Sequence, residues 1–99
     1  MTIDSRDLLR PEEVDLVGQW LDLGGRLEGD AVTDRIQALI HEHLVRITSS
    51  DDGWDSLYRD PTDGRLWELT YPHSERHGGG PPRLKHLEPA DAARKYRDP

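Results

Sequence analysis

The chain has 99 residues, a third of them apolar and a third charged, with 13 basic against 20 acidic side chains and a net charge of −7. That length supports one buried core, and falls short of the roughly 150 to 250 residues needed by the doubly wound sheets and barrels that house many enzyme sites. The acid surplus disfavours nucleic acid as a partner, and no apolar run approaches the roughly 18 residues of a membrane span.

Residues 1–10 read as a loose lead-in. Pro11-Glu12-Glu13 then places proline and acids in a first helical turn, which predicts a short helix over 11–17. Gly18 to Leu23 and Arg26 to Glu28 flank Gly24-Gly25, the pattern of a tight β-hairpin. In residues 30–44, Val32, Ile36, Leu39, Ile40, His43 and Leu44 recur at helical spacing behind a potential cap, Asp30, so a main helix is expected to pack on a sheet.

Val45 to Thr48 alternates like a strand, followed by a turn over 49–53. Runs at 54–59 and 65–71 flank Asp60-Pro61-Thr62-Asp63-Gly64 and are expected to pair antiparallel. Period two puts Trp67, Leu69 and Tyr71 on the face toward the helix, and Leu66, Glu68 and Thr70 on the other. Residues 72–82, with three glycines and three prolines, form a long loop; 83–87 reads as a last strand and 89–96 as a closing helix. The fold expected is α+β: one domain over 1–99, a small antiparallel sheet against a main helix, with short N- and C-terminal helices.

Cysteine is absent, which excludes disulfides, a thiolate nucleophile and sulfur-ligated zinc. Phenylalanine is absent too, so the large core areas are expected from Trp20, Trp54, Trp67, Tyr58, Tyr71 and Tyr96. The N-terminus has no hydrophobic signal core, and a cytoplasmic protein is expected. Residues 1–34 hold nine acids and three bases, a local net charge of −6 suited to steering a basic protein partner.

Catalytic and metal patterns are weak. His73 and His77 lie in a Pro/Gly loop, without the shared helical face that makes a His-Glu-x-x-His pair chelate, and His43 on the apolar stripe reads as a structural histidine. His77-Gly78-Gly79-Gly80 resembles an oxyanion loop, but no Gly-x-Ser-x-Gly elbow accompanies it. Asp60 and Asp63 are turn residues whose expected use is backbone hydrogen bonding. Glu68 is expected to pair with Arg59 or Arg65 across the hairpin or to meet a partner's cation, while Tyr71 and His73 bring hot-spot chemistry to a strand end. No metal or cofactor is expected.

The stretch Gly53-Trp54-Asp55-Ser56-Leu57-Tyr58-Arg59-Asp60-Pro61-Thr62-Asp63-Gly64-Arg65-Leu66-Trp67-Glu68-Leu69-Thr70-Tyr71-Pro72, followed by His77-Gly78-Gly79-Gly80-Pro81-Pro82, resembles the immunity protein 27 family of bacterial polymorphic toxin systems. The likeness extends more loosely to Gly18-Gln19-Trp20, Gly29-Asp30, Arg35-Ile36 and Lys95-Tyr96, and so spans about residues 11–96. It implies a small α+β protein, encoded beside a toxin, that binds that toxin and blocks it without catalysis. Partner-binding residues are expected at Glu68, Tyr71, His73, Glu75 and His77, with Asp22, Glu28 and Asp30 from the acidic third; a nuclease-like toxin would supply the basic surface. The alternatives are an acidic adaptor or regulatory module, and a small hydrolase using His73, Glu75 and His77.

Overall fold

The computed structural model describes residues 3–72 and 80–96. Five antiparallel strands form the main sheet in the order β1-β7-β6-β5-β4: β1 (Asp15–Val17), β4 (Val45–Ser49), β5 (Ser56–Arg59), β6 (Leu66–Thr70) and β7 (Arg83–Leu87). A separate pair, β2 (Trp20–Asp22) and β3 (Leu27–Gly29), makes the hairpin, whose Gly24 and Gly25 take the positive φ that a tight hairpin turn demands. Helices α1 (Ala31–Glu42) and α2 (Pro89–Lys95) complete the α+β architecture.

Strand alternation makes two apolar layers. On one side of the sheet Leu16, Tyr58, Trp67, Leu69 and Leu84 meet Ile36 and Leu39 of α1. On the other, Leu57, with Leu66, Leu87 and Ile47 beside it, meets Ala92 of α2 and Tyr96. Adjacent residues such as Leu57 and Tyr58 therefore enter opposite layers, as a period of two requires. The expected β5–β6 reversal is present, with Ser56 opposite Leu69 and Arg59 opposite Leu66, and Gly64 at φ 79° closes the turn.

α1 starts where the carboxylate of Asp30 accepts a hydrogen bond from the Thr33 backbone N–H at 2.8 Å, relieving one of the helix's unpaired donors. His43 caps the other end and bonds Asp60 through Nε2 at 3.0 Å, so this histidine is a structural one.

Two expectations are corrected near the N-terminus. No helix forms over 11–17; the short helical piece is a 3-10 turn at Ser5–Asp7, capped by Asp4. Glu13 instead closes a turn on Arg10 and gives its carboxylate to Arg35, while Asp15–Val17 alternates exposed, buried, exposed and pairs with β7. Nor are residues 3–10 loose. Leu9 enters the core, and the carbonyls of Asp7 and Leu8 accept from Arg35 at 2.9 and 2.8 Å.

Candidate functional site

The sheet register brings several surface segments to one edge of the molecule. Ser49, Ser56, Leu69, Leu84 and Leu16 lie in one row across the five strands. Beyond that row, in the same direction, come the loop 50–55, Tyr71, Pro82 and Gly18, which opens the hairpin. The Gly18 N–H donates to the Pro82 carbonyl at 2.9 Å, joining the hairpin's base to the end of the Pro/Gly loop. At about 4.8 Å per strand, β1 and β4 are roughly 19 Å apart, so these segments share one end of the sheet.

The hairpin is fastened at its root. Thr33 of α1 presses against Gly18 and Gly29 so closely that a Cβ on either would stand 2.4 or 2.6 Å from it. Asp30 adds to the fastening, accepting from Gln19 N–H at 3.2 Å as well as from Thr33. Burial opposes its ionisation, but these N–H donors outweigh that and hold the Asp30 carboxyl below its ordinary pKa. Residues 21–28 beyond the root are all exposed.

Asp30 is thereby held at the same end of the sheet as Tyr71, at the root of the hairpin that carries Asp22 and Glu28. Asp22 accepts from Gly25 N–H at 2.9 Å and stays exposed; Glu28 pairs with Arg26 at 3.0 Å. Tyr71 is half-buried against the α1-side core. His73, Glu75 and His77 lie outside the described residues.

Glu68 departs from its expected setting. It is 8 % exposed, and neither Arg59 nor Arg65 is its partner: the Tyr96 hydroxyl donates to it at 2.6 Å and Lys95 Nζ reaches it at 2.6 Å. Its face of β6 is covered by α2, so a side chain expected to face a partner's cation instead fastens the closing helix. Burial, then the bond to Glu68, pushes the Tyr96 phenol far above its ordinary pKa. Lys95 also bonds Asp55 at 2.7 Å; burial opposes its charge, but the two carboxylates prevail and raise its pKa.

Asp60 and Asp63 do the turn work expected of them, Asp60 accepting from Thr62 N–H at 2.8 Å and Asp63 from Arg65 N–H at 3.0 Å. Among the described residues no three His, Asp or Glu side chains converge as metal ligands.

Trp54 is the residue that sequence reasoning misplaced. Expected in the core at the start of a strand, it is 65 % exposed, because the turn after β4 continues through Asp55. Ser50 N–H donates to the Asp55 carbonyl at 2.8 Å, Asp55 N–H to Ser50 Oγ at 3.1 Å, and Trp54 N–H to Asp52 at 3.0 Å. The available signal was the run Ser49-Ser50-Asp51-Asp52-Gly53, which favours local side-chain-to-backbone bonds over strand pairing.

A family model described as Immunity protein 27 matches residues 22–88, about two thirds of the chain. No curated protein and no solved structure matches it.

Proposed function

The chain belongs to the Immunity protein 27 family, and from that premise we propose that it protects a bacterial cell by binding a cognate toxin and occluding its working surface, without catalysis and without a cofactor. The family membership is the observation that carries this reading. In the proposed setting the toxin is encoded beside this chain, the complex forms in the cytoplasm, and neither nucleic acid nor membrane takes part.

The toxin face met by this protein is proposed to be basic, such as a nuclease presents to its substrate. The acid surplus supports that choice, nine acids against three bases in residues 1–34. Opposite charge chiefly raises the rate of encounter, while the buried apolar contacts slow dissociation. Contact is assigned to the end of the sheet carrying Tyr71 and the hairpin's Asp22, Glu28 and Asp30, and His73, Glu75 and His77 are proposed as contact residues on sequence alone; Glu68, beneath α2, supports the scaffold.

Co-expression with the neighbouring toxin gene tests the proposal. Cells are expected to survive only when this chain is present, and the two proteins are expected to co-purify at one to one. Survival with no physical complex would contradict occlusion.

A further inference from the structure

The exposed large apolar side chains are unevenly distributed. Among the described residues Val17, Leu21, Leu23, Leu27 and Trp54 are all near the end of the sheet beyond the Ser49–Leu16 row, whereas Val14 and Val45 are toward the opposite end. Leu21, Leu23 and Leu27 are each nearly half exposed, so much of their apolar surface adds nothing to the chain's own stability, and a two-stranded hairpin is marginal by itself. This hairpin keeps its shape because Thr33, Asp30 and Pro82 grip its base.

The hairpin's register shows what kind of surface would cover it. Leu21 stands opposite Glu28 and Leu27 opposite Asp22, so Leu21 and Leu27 project from opposite faces. A flat partner would cover one face and leave the other wet; a cleft covers both. Trp54, at the far side of the same end, is presented by a loop already closed by its own hydrogen bonds, so little conformational freedom is lost when it docks. The hairpin's root at Gly18 and the 50–55 loop follow β1 and β4, strands roughly 19 Å apart, and a footprint of about 800 Å² per partner is about 30 Å across, so one ordinary interface reaches from the hairpin's root to Trp54.

Charge selects the occupant. Among the described residues the local bases are engaged internally: Arg26 with Glu28, Arg83 with Asp15, Lys95 with Asp55 and Glu68, and Arg46 with the Ser49 hydroxyl. Asp22 and Asp51 have no cationic partner among the described residues, and Asp52 is hydrogen-bonded by Ser50 and Trp54 N–H, with Lys95 acting on it only through its charge. An aromatic face with carboxylates beside it suits arginine or lysine, through cation–π and ionic contact together.

We propose that the hairpin enters an apolar-walled, basic-rimmed cleft of the toxin, anchored by Leu21, Leu23 and Leu27, while Trp54 packs against a basic side chain at the cleft's rim. This rests on the reading of the protein as a toxin binder and adds which residues hold the complex together.

The probe is the toxin domain encoded beside this chain, inactivated at its own catalytic centre and titrated calorimetrically. Trp54→Ala is expected to weaken binding at least tenfold, and the triple variant Leu21→Ser, Leu23→Ser, Leu27→Ser at least a hundredfold, while Val45→Ser leaves affinity unchanged. Hydrogen exchange on the unmutated complex gives a readout that no folding defect can imitate: amides of residues 20–29 and 52–55 are expected to slow on binding. Unchanged affinity in both variants, or protection confined to the opposite end, overturns the assignment while leaving toxin binding intact. Absence of binding by the unmutated chain overturns both readings. Self-association lost on Trp54→Ala, with no toxin complex, would make the occupant a second copy and likewise refute the proposal.

Discussion

Arg35 on α1 grips Glu13 in a two-pronged ion pair, both N–O distances being 2.6 Å, with the two side chains only 15 % and 13 % exposed. The same guanidinium donates to the Asp7 and Leu8 carbonyls, so one side chain ties both Asp7-Leu8 and Glu13 to the main helix. The bond from Arg35 outweighs the cost of burial and holds the Glu13 carboxyl at about 2, against an ordinary 4.5.

Acid should therefore loosen this segment. A carboxyl whose pKa is depressed on folding stabilises the native state above its unfolded pKa, so the contribution is present above pH 4.5 and disappears as pH falls toward 2. Its size is at most about 3 kcal/mol. Glu13→Gln should flatten the loss of thermal stability between pH 5 and pH 2, measured by circular dichroism. Arg35→Ala should cost about 3 kcal/mol at pH 7, since it strands a half-buried carboxylate and two carbonyls.

The root of the hairpin should tolerate no side chain. In Gly29→Ala the new Cβ would be 2.6 Å from Thr33 Cγ2 and 2.9 Å from its Cβ; in Gly18→Ala it would meet Thr33 Oγ1 at 2.4 Å and the Pro82 carbonyl at 2.8 Å. Each should cost about 1–3 kcal/mol by chemical denaturation, as overpacking does. Thr33→Ser should restore part of the loss in Gly29→Ala by removing Cγ2, and should restore little in Gly18→Ala, where Oγ1 and the backbone remain.

Tyr96→Phe should destabilise the protein by about 1–2 kcal/mol, because the buried Glu68 loses a donor but keeps Lys95. Glu68→Leu removes the acceptor and should leave the Tyr96 hydroxyl without that bond. In the double variant Glu68→Leu, Tyr96→Phe the two losses should fall short of their sum, a coupling that a thermal-denaturation cycle measures.

If the acidic third steers encounter, raising salt from 50 to 500 mM should slow association with the toxin several-fold and alter dissociation far less. Stopped-flow fluorescence separates the two rates. Equal slowing of both, or neither, would argue that charge does not guide this encounter.

Local pattern was sufficient for much of the fold. The 3.6-residue spacing of Ile36, Leu39 and Ile40 behind Asp30 marked α1, and alternation in Leu66–Thr70 separated Trp67 and Leu69 from Glu68. Arg83–Leu87 and the helix after Pro89 were equally legible, since each is specified by its own residues. The Pro11-Glu12-Glu13 signal misled because proline and acids begin a turn as readily as a helix, and Arg35, 22 residues on, drew Glu13 away. Of the expected contact residues, Tyr71 lies at the end of the sheet where the hairpin carrying the acids is rooted, a relationship set by strand register and by the Gly18–Pro82 bond that linear spacing does not reveal.

The sequence alone determined which faces of these elements are apolar, where the Gly24-Gly25 and Asp60–Gly64 turns fall, and through its residue motifs the family, because each depends on side chains a few positions apart. Only the tertiary structure decided that β1 completes the sheet against β7, that Glu68 turns inward to Tyr96, and that Trp54 stands in solvent while Leu21, Leu23 and Leu27 of the hairpin stay half-exposed. These are pairings between groups tens of residues apart. They arise when the two sides of one sheet compete for covering helices, and a short pattern records that a face is apolar without recording what will cover it.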